Sequence, residues 1–303
     1  MSRGVLGTPQ TPPKGLRPSG LPSRLLLLLD AIKFEHSVFA LPFAYLGMVL
    51  AARGFPGWEK VLWITVAMVG ARTLAMATNR LVDARLDALN PRTSGRAIPR
   101  GLLSSAEMGC LAAAGLAALV FAARMLNPLC LQLTPVAAAV LVAYSWTKRF
   151  TWLSHVVLGF SDGMAPVGGW IGVTGRVDLP AVLLGLAVLF WVGGFDLIYA
   201  CQDVDFDRKV RLHSVPARFG IGAALWSSSV AHALTLALLA AVGTLLALGR
   251  LYLVGLVVAA ALLIYEHRLV RPDDLSRLSA AFFNVNGYVA VIVFVFTVGG
   301  LYV

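Results

Sequence analysis

Charge is what this sequence most lacks beside a soluble protein. Only 13% of its 303 residues are Asp, Glu, Lys or Arg, against 58% hydrophobic ones, and the mean hydropathy is +0.80. A water-soluble domain carries about a quarter charged residues, so a soluble globular fold is excluded. Cysteine is scarcer still in number. Cys110, Cys130 and Cys201 lie far apart in or beside apolar segments, with neither metal-ligand spacing nor an even set for a disulfide framework. They read as small hydrophobes. A cleavable secretory leader is not expected either, because the leucine run 25–29 is too short for its apolar core and leads into Asp30 and Lys33. Acid is scarcer than base, giving a formal charge of +10. In a soluble chain that excess would point to nucleic acid; in an apolar one it points to topology and to anionic phosphate.

Long apolar runs are what the chain has instead. Nine of them span approximately 34–52, 61–82, 106–124, 128–146, 152–173, 180–201, 222–247, 250–270 and 281–302. About 20 apolar residues cross a bilayer as a helix, and continuous runs of this length satisfy their backbone in lipid only as helices. The expected fold is therefore all-α, a polytopic integral membrane bundle of nine transmembrane helices. Residues 1–24, rich in Pro, Gly and Ser, read as a flexible polar tail, and 25–303 as a single domain. Lys and Arg crowd into the tail, the loop after the second segment and the loops after the fourth, sixth and eighth. The opposite side has only Arg53, Lys60, Arg124, Arg176 and Arg250. This bias predicts a cell-membrane protein whose N-terminus and richly charged loops face the cytoplasm.

The same cytoplasmic loops hold most of the acid. Asn79, Asp83 and Asp87 recur every four residues in NRLVDARLD, and Tyr199, Asp203 and Asp207 do so in YACQDVDFD. That spacing puts each trio on one helical face, at the exit of an apolar helix. An isolated aspartate there would read as a solvated loop charge. Two trios of identical spacing on one membrane side read instead as facing ligand sets. Mg2+ prefers hard oxygen ligands and is typically held by one or two carboxylates plus substrate phosphate, so Asp83, Asp87, Asp203 and Asp207 are the candidate metal ligands. Arg92 and Arg96 follow the first trio, Lys209 follows the second, and Tyr144, Lys148 and Arg149 stand in YSWTKRF. The basic members suit contacts to phosphate, although singly each could be no more than a topology signal.

The runs NRLVDARLDALNPRTSGRAIPRG and DLIYACQDVDFD resemble the two aspartate motifs of the UbiA superfamily of intramembrane prenyltransferases. YSWTKRFTWLSHVVLG resembles the connection between that family's fourth and fifth helices, so the likeness covers roughly residues 30–302. It is strongest to the 4-hydroxybenzoate polyprenyltransferases and their menaquinone-pathway relatives. The resemblance implies Mg2+-dependent transfer of a polyprenyl group from its diphosphate to an aromatic acceptor of the 4-hydroxybenzoate type, in quinone synthesis. It implies diphosphate–Mg2+ roles for Asn79, Asp83, Asp87, Asp203 and Asp207, and phosphate contacts for Arg92, Arg96, Lys148 and Lys209. Tyr144, Arg149 and Tyr199 join them as candidate substrate contacts. No nucleic acid and no obligate protein partner are implied, only the bilayer and the two small-molecule substrates. His213 stands where relatives would carry a basic residue, and Asp205 adds an acid on another face.

Deeper polar residues refine the expectation. Arg72 and Asp196 each precede a trio by seven residues, which places them on nearly the same face about 10 Å deeper. Ionisable groups inside a membrane usually face an interior cavity. Arg72 would receive the acceptor's carboxylate, reach the diphosphate, or pair structurally with Asp162 or Asp196. Asp196 would orient or deprotonate the acceptor's phenol, or simply balance an arginine. Asp162 has no assigned role; its Gly163, Pro166, Gly168, Gly169 surroundings predict close helix approach or local unwinding. Glu35 and His36 read as interfacial, Asn284 and Asn286 as cavity-lining or as glue between helices, and His155, His232 and His267 as background. Two rivals remain open. Prenylation of a menaquinone precursor, a dihydroxynaphthoate or a futalosine-pathway intermediate, would share both motifs. An ion-coupled transporter would put its acids near the bilayer midplane, whereas these lie at helix ends.

Overall fold

The computed structural model describes residues 20–32, 37–278 and 280–303, and all of its regular structure is helical. The tail 1–19, together with Glu35 and His36, lies outside the described residues. The elements run α1 (Leu21–Ala31), α2 (Ser37–Ala52), α3 (Trp58–Leu89), α4 (Ser105–Leu126), α5 (Pro128–Ala143), α6 (Ser154–Thr174) and α7 (Leu179–Ala200). They continue as α8 (Val204–Val210), α9 (Val215–Phe219), α10 (Ile221–Leu245), α11 (Arg250–Leu269) and α12 (Asn286–Gly300). Among the described residues, seven helices are long and apolar enough to cross a membrane, and two shorter apolar ones, Leu41–Ala52 and Asn286–Gly300, accompany them. The nine apolar segments thus each correspond to a helix, of which seven meet the length of a full span.

The surface is that of a protein dissolved in lipid. Large apolar side chains such as Trp226 (70%), Val257 (70%) and Phe121 (54%) are exposed, while polar Ser228, His232, Glu266 and Thr297 are buried among the helices. Lipid gives apolar helices no reason to associate, so close backbone packing has to hold them. Gly159 and Gly163 of α6 rest on the carbonyls of Leu189 and Gly185 of α7. A Cβ at Gly163 would collide with the Gly185 oxygen. Helix α6 is continuous through Pro166, so the glycine-rich stretch around Asp162 serves close approach and not unwinding. A second internal tie is polar. Glu266 of α11 is fully buried, accepts from Asn286 Nδ2 at 2.7 Å, and has its other oxygen 3.6 Å from Nδ1 of buried His232 on α10. Asn286 is therefore glue as well as cavity wall, while Asn284 is exposed.

Four local features depart from the sequence expectation. Helix α1 occupies residues 21–31, so the part of the expected tail from Leu21 on is ordered, with Pro22 at the helix start where no N–H is missed. The fourth segment does not stay α-helical to its end: after Ala143 it tightens into a 3-10 turn, Tyr144–Arg149. The sixth does the same at Cys201–Asp203 before resuming as α8. Three residues per turn in place of 3.6 rotate the residues beyond the turn, so the second trio does not share one straight α-helical face. Helix α3 is the opposite case. Its 32 residues make about 48 Å of helix at 1.5 Å per residue, well beyond a hydrocarbon core of about 30 Å. That length carries Asp83 and Asp87 out to the membrane face while leaving Arg72 inside it.

Candidate functional site

Chain punctuation builds the mouth of the site. Asn90 ends α3 in an extended conformation (φ −89°, ψ 119°), as expected before Pro91. The loop 90–103 then folds back over the helix end. Thr93 Oγ1 donates to the Asp87 carbonyl at 3.1 Å, Asn90 Oδ1 accepts from Arg92 N at 3.0 Å, and Asn90 Nδ2 crosses to Asp203 Oδ1 at 3.1 Å. Ser104 closes the loop as a capping box with Glu107 at the start of α4, an arrangement worth about 1 kcal/mol. The two motifs thus meet through their own backbone connections.

Both trios line one cavity of about 160 Å3, into which Asn79, Asp83, Asp87, Asp203 and Asp207 all project with Arg92, Arg96, Lys148 and Arg149. Every carboxylate there already has a partner. Asp203 takes a two-pronged grip from Arg92, Nε to Oδ1 at 3.0 Å and Nη2 to Oδ2 at 2.6 Å, while Arg92 Nη1 reaches the Tyr199 hydroxyl at 3.0 Å. Arg96 Nη1 donates to both oxygens of Asp87, at 2.7 and 2.8 Å. Asp83 accepts from Asn79 at 2.9 Å and from Arg149 at 3.1 Å. Asp207 accepts from Ser214 Oγ at 2.8 Å, with the charge of Lys148 nearby. Burial works against the charge on Arg92, but the Asp203 hydrogen bond and carboxylate outweigh it and raise its pKa above the usual guanidinium value.

Among the described residues, no group of three or more His, Cys, Asp or Glu is arranged to hold a metal, because the carboxylates turn to their arginines. The donor set nonetheless suits a hard cation: four carboxylates and two asparagine oxygens wall one small chamber. Ser145, also in that wall, has a buried Oγ without a hydrogen-bond partner, a polar group that an incoming oxyanion would satisfy.

A larger cavity of about 550 Å3 lies beside the first and shares Asn79, Asp87, Arg92, Thr93, Arg96, Tyr144, Asp196 and Tyr199 with it. Phe43, Leu158, Val188, Trp191 and Phe195 give it apolar walls, and Arg72 and Asp162 line it too. Its volume is that of a typical small-molecule pocket. Arg72 makes no ion pair within 4.0 Å among the described residues, and its Nε is buried without a hydrogen-bond partner. Asp196 is held by a histidine and not by an arginine: His155 Nδ1 lies 2.6 Å from its Oδ2.

The expected site residues are therefore brought together with one exception. Lys209, on the outer side of α8, is exposed and lines neither cavity. Asp205 and His213 are also exposed. The residue that sequence reading passes over is His155. A signal existed, since His155 precedes Asp162 by seven residues, the same two-turn offset that marks Arg72 and Asp196.

Known proteins share this architecture. The UbiA prenyltransferase family profile matches residues 40–288. A 4-hydroxybenzoate octaprenyltransferase of Aromatoleum aromaticum is 30% identical over 287 residues, covering 92% of this chain and 96% of that one. A protein of the same name from Aliivibrio fischeri is 29% identical over 251 residues, 82% of this chain and 86% of that one. Among solved structures, a UbiA homolog from Aeropyrum pernix superposes with a TM-score of 0.79 at 35% identity, covering 86% of this chain and 96% of its own. A UbiA homolog from Archaeoglobus fulgidus bound to DMAPP and Mg2+ gives 0.68 at 18% identity, covering 91% and 99%, a likeness of fold. With a profile match over most of its length, the paired aspartate chamber and the helical bundle around it, this chain belongs to the UbiA prenyltransferase family and is a multi-pass membrane prenyltransferase.

Proposed function

We propose that the enzyme transfers a polyprenyl group from its diphosphate to the ring of an aromatic acid of the 4-hydroxybenzoate type, with Mg2+ as cofactor. The observation that carries this reading is the join of the two cavities. A polar chamber walled by Asp83, Asp87, Asp203 and Asp207 shares a wall with a pocket of largely apolar lining, whose uncommitted charged donor is the half-buried Arg72 with its buried Nε. Arg92, Arg96, Lys148 and Arg149 are placed to hold the diphosphate oxygens, with Asn79, Tyr144 and Tyr199 at the junction. The four aspartates would hold Mg2+, which when bound would supply positive charge to the departing diphosphate. Positive charge preorganised around a leaving group is commonly a large part of catalysis. As the allylic C–O bond breaks, its electron pair stays with the diphosphate. Phe43, Leu158, Trp191 and Phe195 keep water from the allylic cation. Arg72 grips the acceptor's carboxylate with its planar fork, and Asp196 orients the phenol so that the neighbouring ring carbon attacks. The ring then gives the proton from that carbon to the released diphosphate and regains its aromaticity.

The chain acts as one domain, with the aspartate chamber facing the cytoplasm, as the Lys and Arg bias supports. Purified enzyme given prenyl diphosphate, Mg2+ and 4-hydroxybenzoate should form the ring-prenylated acid. EDTA should stop product formation and added Mg2+ should restore it. A preparation that prenylates a dihydroxynaphthoate but not 4-hydroxybenzoate would move the assignment to menaquinone synthesis. Turnover that is indifferent to EDTA would remove the aspartates' metal role.

A further inference from the structure

His155 is 2% exposed and touches two elements besides its own. On one side its Nδ1 lies 2.6 Å from Asp196 Oδ2 on α7. On the other, the backbone N–H of Val215, the first residue of α9, donates to Nε2 at 3.4 Å. A ring nitrogen that accepts an N–H must present a lone pair, so the proton of the neutral imidazole is on Nδ1 and is given to Asp196. Packing brings the two together. Gly193, one turn before Asp196, lets the α7 backbone close on α6, and a Cβ there would sit 3.3 Å from the His155 carbonyl oxygen. Val215 is itself anchored. Its neighbour Ser214 is fully buried, caps α9 by accepting from Ala217 N, and donates to Asp207 Oδ2 at 2.8 Å. A continuous connection thus runs from the second aspartate motif, through the turn that opens α9, to the carboxylate between the two cavities.

We propose that His155 is the positioning residue of the acceptor site: it fixes one oxygen of Asp196, leaves the other for the acceptor's phenol, and takes its own orientation from the Val215 N–H. This rests on the assignment of Asp196 to the acceptor. A ring in the Nδ1–H form does two jobs that ordinary substitutions separate. Asparagine places an amide N–H where Nδ1 stands but cannot reach Val215. Glutamine reaches toward Val215 but puts no donor at the Nδ1 position. Phenylalanine fills the space and does neither.

The test compares His155→Asn, His155→Gln and His155→Phe with Asp196→Asn, using steady-state rates against each substrate and calorimetric binding of prenyl diphosphate with Mg2+. His155→Phe and His155→Gln should lose about tenfold to a hundredfold in kcat/KM for the acceptor, the range for losing the partner that orients a functional group. His155→Asn should recover most of that loss, and all three should bind prenyl diphosphate within about twofold of wild type. A histidine that only held helices together would show no such recovery by asparagine and would shift diphosphate binding and thermal midpoint along with turnover. His155→Asn no better than His155→Phe would therefore overturn the inference, as would wild-type acceptor kinetics in His155→Phe beside a slow Asp196→Asn. Wild-type rates in Asp196→Asn would remove the acceptor assignment of Asp196 and this inference with it.

Discussion

Arg72 has the planar donor fork of a carboxylate receptor and a buried Nε that nothing in the described protein satisfies. An unpaired buried donor is costly, and a charged hydrogen bond returns about 1.5–3 kcal/mol. Arg72→Lys keeps the charge and loses the fork, so the KM for the aromatic acid should rise about tenfold or more while prenyl diphosphate binding stays unchanged. Calorimetry with each substrate separately decides the matter: weaker diphosphate binding and intact acid binding would move Arg72 to the phosphate site. At this scale much of the site was legible. A charged residue two turns deeper than an aspartate trio is a strong sign of a lined cavity, and Arg72 and Asp196 both line one. His155 escaped because its partners lie on other elements, and because Asp162, two turns on in its own helix, carried no assigned role to point back to it. Lys209 misled for the reverse reason. It has the right charge next to the right motif, but the short α8 turns it to solvent.

Helices α6 and α7 carry His155 and Asp162 on one side and Asp196 on the other, so their spacing sets the geometry of the proposed acceptor site. Gly163 is the point where that spacing is least negotiable, since an added Cβ meets the Gly185 carbonyl and not a flexible side chain. Gly163→Val should lower stability by about 1–3 kcal/mol, the usual cost of overpacking, and reduce turnover by moving Asp196 from its partners. Gly168 of the same helix has open space around its Cβ position, and Gly168→Ala should leave both the thermal midpoint and the rate near wild type. Equal effects of the two substitutions would mean that helix propensity and not contact is being measured. Element existence was readable from apolar run length, because the bilayer demands it. The 3-10 turns at Tyr144–Arg149 and Cys201–Asp203 were not, since they arise where helix ends tighten under loop contacts. Nor was α1, whose leucines look the same in a signal segment, a tail or a surface helix.

The molecule as a whole is polarised. The loop 90–103, α8 and α9 gather the charged groups at one end, and few Lys or Arg mark the other. If that end faces the cytoplasm, Ser94→Cys in a chain otherwise without cysteine should react with a membrane-impermeant maleimide only from the cytoplasmic side. Val177→Cys, in the exposed turn between α6 and α7, should react only from the opposite side. A reversed pattern would invert the topology.

The arginine grips at the chamber also bear on what the enzyme ignores. With Asp203 held by Arg92, Asp87 by Arg96 and Asp83 by Arg149, the resting mouth shows passing ions little unbalanced charge. Inorganic phosphate or a nucleotide arriving alone would have to strip an arginine from its aspartate and leave that carboxylate exposed to its neighbours. A lone divalent cation would strand the arginines in the same way. Only an anion and a cation arriving together let both sides of each broken pair find a new partner, so admission resembles a coincidence requirement: the protein's own ion pairs act as competitive occupants that no single solute displaces cheaply.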